Sequence, residues 1–525
     1  MDSEHQSLAS LVKRDAPAAT AFVFDGTKVS RGQFVRRIDE AAAWLAAHGI
    51  GPGDVIAVWL VNRPEWIVLL FAAARLGAIV AAVNTRYRSA EVEHLLKLSG
   101  ARLLVVEAQF RSIDFPAILA GIDKSAVPSL QRVAVVGAGD VTAKWPTVKF
   151  DAFEQAYAPV PLPCDDLEAP VLLFTTSGTT RGPKLVAHSQ ATLAGHAHSI
   201  GRALGLSGDR HSLLAMLPFC GTFGMSGLLG FLAAGATVHA HDAFDAPVAL
   251  RTLQQQNITH TFGSDEMVRR MLALTEAPRP FPHLQVFGFA AFQPGWRELA
   301  ASVEARGVPL YGLYGSSEVQ ALFSIGHADD SFADRIECGG WPMSADAIVR
   351  VRDSATGELA RPGELGEIEI RAPSRFVAYF NNREATADAM TADGFFRTGD
   401  LGRIRGNGSF IYETRAGDAM RLGGFLVSPE EIEAVIQAQA GVAGVQVVAA
   451  ARGGADPVPV AFVRTNTGEM LDEAALRTRC FEQLARFKVP ERIVVVDAFP
   501  TVESPNGPKV QKIRLREMAE ALLRE

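Results

Sequence analysis

The chain has 525 residues, 48% hydrophobic and 21% charged, enough to fill two to four domain cores and too apolar for a disordered chain. A net charge of −7 and a pI near 6.0 favour neither a nucleic acid nor an anionic membrane as partner. Cys164, Cys220, Cys338 and Cys480 lie far apart with no CxxC pair, which excludes a disulfide scaffold and a Cys-type zinc finger and fits a reducing compartment.

The first residues, MDSEHQSLASLVKRDAP, show no apolar run behind a basic head and do not read as a secretory signal. Ser30 to Gly49 reads as an amphipathic helix, with Phe34, Ile38, Ala42 and Leu45 at helical spacing. A turn at 49–54 leads to an apolar strand at 55–61, and Pro64 opens a helix that Gly77 ends. Strand 78–84, helix Arg88–Ser99 and strand 101–107 follow, an alternation that implies parallel sheets covered on both faces. Ser212 to Val238 carries no formal charge, yet it holds Pro218 and five glycines, a poor composition for a transmembrane helix. It reads as a buried strand, loop and helix, and the chain as a soluble cytoplasmic protein with no transmembrane segment.

From about residue 345, IVRVRD, GELGEIEIRA and SFIYET are short alternating strands with Gly-rich turns, the pattern of a small β-subdomain. Ser428-Pro429-Glu430-Glu431 starts another helix, and VQVVAAA, VPVAFVR, a helix at 472–486 and RIVVVD complete a compact α+β unit. The fold class is therefore α/β: a large N-terminal body of mainly parallel αβα-layered sheets with a β-subdomain, residues 1–412, and a small α+β C-terminal domain, residues 413–525.

The segment VLLFTTSGTTRGPKLVAHSQ (171–190) carries the strongest chemical signal. A buried strand runs into Thr175, Thr176, Ser177, Gly178, Thr179 and Thr180, then Arg181-Gly182-Pro183-Lys184. Glycines allow turns whose N–H groups converge on an anion, hydroxyls add donors, and two cations add charge, so the loop suits a polyphosphate. It is not a Walker A loop: three residues separate Gly178 from Gly182, Pro183 precedes Lys184 and Leu185 follows it.

TSGTTRGPK resembles the phosphate loop of the adenylate-forming superfamily, which includes acyl-CoA synthetases, firefly luciferases and peptide-synthetase adenylation domains. In the same order, LYGSSE (313–318) resembles the Tyr-Gly-x-Thr-Glu motif of that family, FRTGD (396–400) its Tyr-Arg-Thr-Gly-Asp, TRAGDAMRLGGFLVSPEEIE (414–433) its hinge, and PNGPKVQKIRLRE (505–517) its C-terminal lysine motif. The resemblance covers nearly the whole chain. It implies an acid–thiol ligase: a carboxylate attacks the α-phosphate of Mg-ATP to give acyl-AMP and pyrophosphate, then a mobile lid turns about a hinge at 415–418 and a thiol displaces AMP.

Carried onto this sequence, the resemblance gives Lys509 the task of stabilising charge at the α-phosphate, Glu318 that of holding Mg²⁺, and Ser317 a hydroxyl contact to the α-phosphate. Thr176, Ser177, Gly178, Thr179, Thr180 and Lys184 would surround the phosphates. Tyr314 and Gly315 would meet the adenine, Asp400 the ribose hydroxyls, and Arg415 ribose or phosphate oxygens. Gly312, Phe219, Gly221, Phe223 and Phe289 fall in segments that line the acyl pocket in the family, as do Phe262, Phe287 and Phe292. ATP, Mg²⁺ and coenzyme A are the implied cofactors, a small carboxylic acid is the implied partner, and a homodimer is compatible with the sequence.

Four positions depart from the family pattern: Arg181 and Leu185 around the loop lysine, Gly221 where a gate residue is usual, Gly417 at the hinge, and Pro508 before Lys509. PFCGTFG (218–224) offers no carboxylate for an α-amine, and no arginine stands ready there for a diacid. The implied substrate is an apolar fatty or aromatic acid. An acyl-AMP ligase that loads a carrier protein is the alternative, and a binding homologue without turnover is a third reading. His239-x-His241-Asp242 reads as a solvent-facing strand end rather than a metal site.

Overall fold

The structure is a computed structural model. It describes residues 7–12, 15–111, 113–137, 139, 141, 144–160, 166–176, 184–208, 210–291, 296–353, 356–418, 420–422, 425–451, 457–466, 471–484, 486–502 and 509–524, apart from the side chains of 421, 425, 426, 487 and 509.

The expected N-terminal elements form where local chemistry starts and stops them. Ser30 caps the helix Arg31–Ala47 in a reciprocal box with Gln33. Pro64 occupies the first turn of Pro64–Leu76, and Gly77 ends that helix in the left-handed region at φ 69°. The following strands build an eight-stranded sheet in the spatial order Ala378–Tyr379, Leu185–Ser189, Pro170–Thr175, Ile79–Ala82, Val55–Trp59, Leu103–Glu107, Arg132–Val136, Thr147–Lys149. Its centre is parallel, and every residue of Val55–Trp59 is buried. Alternate side chains of that strand enter different cores: Ile56 and Val58 face one, while Val55, Ala57 and Trp59 face the other. That two-sided burial explains its continuous apolar run.

A second sheet has thirteen strands among the described residues. Its parallel part includes Ser212–Ala215, Thr237–Ala240, His260–Ser264, Val286–Ala290 and Leu310–Ser316. It continues without a break through the antiparallel strands Gln320–Ile325, Gly339–Pro342, Phe410–Arg415, Phe396–Ile404, Gly366–Arg371 and Ile348–Arg352. The β-subdomain read from sequence is thus one wing of this sheet, although it keeps an apolar core of its own around Phe376, Phe396 and Phe410.

The uncharged stretch 212–238 resolves into strand Ser212–Ala215, helix Thr222–Ala233 and the start of strand Thr237–Ala240. No described helix is long and apolar enough to cross a membrane. Past residue 425, helices Pro429–Gln437, Glu473–Gln483 and Lys512–Arg524 pack on a three-stranded sheet formed by Val442–Ala450, Val458–Thr465 and Arg492–Val495. Two small cores fill this unit, one around Ile432 and Val447, the other around Phe462 and Leu515.

Candidate active site

Two antiparallel strands, Pro170–Thr175 and Leu185–Ser189, flank the loop signal in sequence. Two hydrogen bonds close its base: Thr176 N–H donates to the Lys184 carbonyl and Lys184 N–H to Thr176 Oγ1, both at 3.0 Å. Tyr87 donates its hydroxyl to Thr175 Oγ1 at 2.9 Å. Ser177, Gly178, Thr179, Thr180 and Arg181 lie outside the described residues.

Beside that base stands the turn carrying Ser317 and Glu318. The Glu318 side chain is buried, and its Oε1 accepts from the Tyr379 hydroxyl at 2.9 Å. The Lys184 ammonium lies 4.3 Å from the centroid of the same Tyr379 ring. Burial, and then the Glu318 charge, hold the Tyr379 phenol protonated far above its ordinary range, so it donates. The Ser317 carbonyl accepts from His188 Nε2 at 2.8 Å. His188 is fully buried, which pushes its pKa down to about 4 and keeps the ring neutral. Two residues past Glu318, Gln320 takes a left-handed φ of 66° without being glycine, and its amide donates to the carbonyls of Thr192 and Ser374 at 2.8 and 3.2 Å. Gly315 is glycine for a steric reason: a Cβ there would lie 2.6 Å from the Gln320 carbonyl oxygen. As a hard oxygen donor with one oxygen already oriented, the Glu318 carboxylate suits Mg²⁺.

A second corner joins the two long strands Phe396–Ile404 and Phe410–Arg415, where Asp400 and Arg415 are register partners. Arg415 Nη1 lies 2.8 Å from Asp400 Oδ1 and donates to the Thr398 carbonyl at 2.7 Å, while Tyr314 donates to Asp400 Oδ2 at 2.6 Å. Gly399 takes φ 68° in the turn between, and Asp400 N–H donates back to Thr398 Oγ1 at 3.0 Å. Burial raises the Asp400 pKa, and Arg415 and Tyr314 oppose that rise. Each carboxylate oxygen keeps a second acceptor direction, so the pair can still receive two hydroxyls. Tyr314 departs from its expected part. Its ring is 6% exposed and enclosed by Phe323, Phe410 and Tyr412, so its visible contact is the hydroxyl on Asp400 rather than an open face.

The residues assigned to an acyl pocket divide. Phe219 and Phe289 are 1% exposed in the main core, and Phe223 is also buried there. Gly312 is fixed by packing, because a Cβ would collide with the carbonyls of Ile336 and Glu337. Gly221 caps helix Thr222–Ala233, and a Cβ there would meet only the Pro218 carbonyl at 3.6 Å, so packing does not demand glycine at that gate position. Phe292 lies outside the described residues. Beside Cys220 a cavity of about 620 Å³ is lined by Asn62, Arg86, Met216, Phe244, Met267 and Arg270. Burial pushes the Cys220 thiol up to about 11, leaving it an inert wall. Arg111 joins this cavity to a crevice of about 670 Å³ lined by Arg63 and Glu107, at the carboxyl ends of Leu103–Glu107 and Arg132–Val136.

Two body arginines approach the first turn of helix Pro429–Gln437. Arg297, paired with Glu337 at 3.0 Å, lies 4.0 Å from Glu430, and Arg403, bonded to Glu413, lies 3.8 Å from Glu431. Lys488 also grips Glu431. Lys512 and Glu433 share with Glu430 a cavity of about 310 Å³ at this seam, where the Lys512 charge favours the ionised forms of both carboxyls. Lys509 pairs with Val502 in a short hairpin; its side chain and Pro508 lie outside the described residues. Gly417 has open space around it and no left-handed φ, and its carbonyl accepts from Arg516 at 2.6 Å. His239 and His241 are half-buried on Thr237–Ala240 and after it, not solvent-facing, and His241 Nε2 lies 3.1 Å from Thr252 Oγ1.

Sequence reasoning missed Tyr379, His188 and Asn62. Asn62 holds the segment 217–219 by donating to the Leu217 carbonyl and accepting from Phe219 N–H at 2.8 and 2.7 Å, over 155 residues away. None of the three stands in a motif, and only sheet pairing and packing bring them to the site.

The family model for AMP-binding enzymes matches residues 11–380, and that for the AMP-binding enzyme C-terminal domain matches residues 431–505. Among curated proteins, the chain is 31% identical over 518 residues to 3-[(3aS,4S,7aS)-7a-methyl-1,5-dioxo-octahydro-1H-inden-4-yl]propanoyl:CoA ligase of Mycobacterium tuberculosis (strain ATCC 25618 / H37Rv), covering 96% of this chain and 97% of that one. It is 32% identical to 2-succinylbenzoate–CoA ligase of Geobacillus kaustophilus (strain HTA426), covering 91% of each. Among solved structures, ATP-bound MatB from Rhodopseudomonas palustris aligns with TM-score 0.85 and 25% identity over 100% of both chains.

Proposed function

The chain belongs to the AMP-binding enzyme family and is an AMP-forming acid–CoA ligase; from that premise we propose that it activates an apolar, fatty or aromatic, carboxylic acid through acyl-AMP and passes the acyl group to coenzyme A. The observation that supports the site assignment is that Lys184, Glu318, Asp400 and Arg415, from four separate motifs, stand near one another around Glu318.

In the first step the acid's carboxylate oxygen bonds to the α-phosphorus of ATP and the bond to pyrophosphate breaks. Two anions approach each other, so cationic and N–H groups must receive the charge that builds at phosphorus. Lys184, Thr176 and the loop through Thr180 hold the phosphates, Ser317 reaches the α-phosphate, and Lys509 brings its ammonium from the C-terminal unit. Glu318 would hold Mg²⁺, which when bound would further neutralise the phosphate oxygens. Asp400, oriented by Arg415 and Tyr314, receives the ribose hydroxyls. In the second step the thiol sulfur attacks the acyl carbon and AMP leaves. Residues 1–412 form the body, 413–525 the lid, and 415–418 the hinge.

The cavity beside Cys220 touches Thr85 and Arg86, which precede Tyr87 at the loop base, and its rim carries Arg86, Arg111 and Arg270. An apolar wall with cations at its mouth suits a thiol arm that ends in phosphates. Acid-dependent ATP–pyrophosphate exchange over a panel of carboxylic acids tests the reading, followed by thioester formation with coenzyme A. Exchange greatest with apolar acids, and CoA thioester as product, is expected. Exchange that prefers charged diacids, or a thioester formed on a carrier protein alone, would overturn it.

A further inference from the structure

Tyr379 touches both signs of charge at the loop mouth and belongs to none of the motifs. Its ring face, which carries the negative lobe of the π quadrupole, lies 4.3 Å from the Lys184 ammonium. Its hydroxyl, a donor at the ring's edge, reaches Glu318 Oε1 at 2.9 Å. No ion pair joins Lys184 to Glu318 directly. Resting on the assignment of Glu318 to Mg²⁺ and Lys184 to phosphate, we propose that Tyr379 is a positioning residue that keeps this cation and this carboxylate apart and separately oriented.

The physical need is plain. An ammonium and a carboxylate facing one cleft attract, and a direct pair would spend both charges on each other before a substrate arrived. A tyrosine between them satisfies each without neutralising either. The backbone is built to hold it there. Ala378–Tyr379 is a two-residue strand on the edge of the first sheet, paired with Val186 and Ala187 immediately after Lys184. Phe380 N–H donates to the Leu185 carbonyl at 2.8 Å, and Tyr379 N–H to Thr386 Oγ1 at 3.0 Å. Phe376 N–H donates to the Glu318 main-chain carbonyl at 2.6 Å. The segment 376–380 therefore grips Glu318 by both main chain and carboxylate while it follows the strand that leaves the phosphate loop.

The test is calorimetric binding of ATP, with and without Mg²⁺, to the full chain and three variants. Tyr379→Phe keeps the ring under Lys184 and removes only the hydroxyl. It should weaken Mg-ATP binding about tenfold and leave Mg-free ATP binding unchanged, the scale of a hydrogen bond to a charged group. Tyr379→Leu removes the ring as well and should also weaken Mg-free binding, by about fivefold. Equal loss with and without Mg²⁺ in Tyr379→Phe, or no loss at all, overturns the proposal. Glu318→Gln separates the two levels. If it abolishes the Mg²⁺ effect while Tyr379→Phe does not, the positioning role alone falls. If Glu318→Gln also leaves the Mg²⁺ effect intact, the metal assignment falls and takes the positioning role with it. Melting of the ligand-free variants within about 2 °C of the parent keeps the comparison free of unfolding.

Discussion

The corner around Asp400 and the seam around Glu430 and Glu431 both join carboxylates to arginines, and they are built in opposite ways. Asp400 is 5% exposed and carries three bonding partners between 2.6 and 3.0 Å, Tyr314, Arg415 and the Thr398 hydroxyl through its own N–H. At the seam the two arginines stand 3.8 and 4.0 Å from Glu431 and Glu430, beyond hydrogen-bond distance, and those carboxylates are 30% and 42% exposed. At the Asp400 corner only the arginine, Arg415, is open to solvent, at 50%. A buried carboxylate held by short hydrogen bonds costs more to disturb than a long pair between partly exposed groups, which is worth about 0–1 kcal/mol and is screened by salt. The Asp400 corner is thus suited to staying put and the seam to letting go, which supports the proposed assignment of 413–525 as a lid.

The largest effect expected is chemical. Lys509→Ala should nearly abolish acid-dependent pyrophosphate exchange while Lys512→Ala, whose ammonium already faces Glu430 and Glu433, should retain most of it. The reverse outcome would move the catalytic assignment to Lys512 and make the seam part of the chemistry. Next, Asp400→Ala leaves the buried Tyr314 hydroxyl without its acceptor, while Arg415 keeps the Thr398 carbonyl, and should cost about 2 kcal/mol in denaturant unfolding, against under about 1 kcal/mol for Glu431→Ala. Equal costs would erase the contrast between the two regions.

Acid should attack the support of the Glu318 turn, where His188 and His196 meet the Ser317 and Ala321 carbonyls. Burial lowers His188 and His196 from 6.5 to about 4, so the unfolded chain binds protons that the fold refuses. Stability present above pH 6.5 should be lost as the pH falls towards 4, by about 3 kcal/mol per histidine. A melting temperature that stays flat across that window would contradict it.

The seam should respond in the other direction and more weakly. Desolvation within the seam, then Glu433 and Glu337, raise Glu430 to about 7 against Arg297 and Lys512, although 42% of its side-chain surface still meets solvent. A raised carboxyl favours the docked lid while protonated, so docking should weaken as the pH rises from 4.5 to about 7, read as faster proteolysis at the hinge. Glu430→Gln should flatten that profile. Gly417→Pro, finally, should impair thioester formation more than adenylation. Gly417→Ala should do little, since its Cβ would meet open space; equal loss in both half-reactions for the proline variant would detach Gly417 from lid motion.

Much was legible before folding because it is local. Ser30 and Gln33 fix a helix start within four residues, Gly77 fixes a stop, and Gly399 lets the Thr-Gly-Asp turn form. The ordered motifs likewise singled out Lys184, Glu318, Asp400 and Arg415 through a family resemblance, and their roles stand as proposals. Tertiary structure decided what depends on distant partners. Tyr314 is a hydrogen-bond donor to Asp400, 86 residues on, rather than an open ring face, and Gly312 answers to the carbonyls of Ile336 and Glu337. Tyr379 reaches Glu318 only because a two-residue edge strand pairs with the chain leaving the phosphate loop. Sequence carries residue chemistry and short-range geometry; which side chains meet across a sheet is set by strand order and register, which no local pattern encodes.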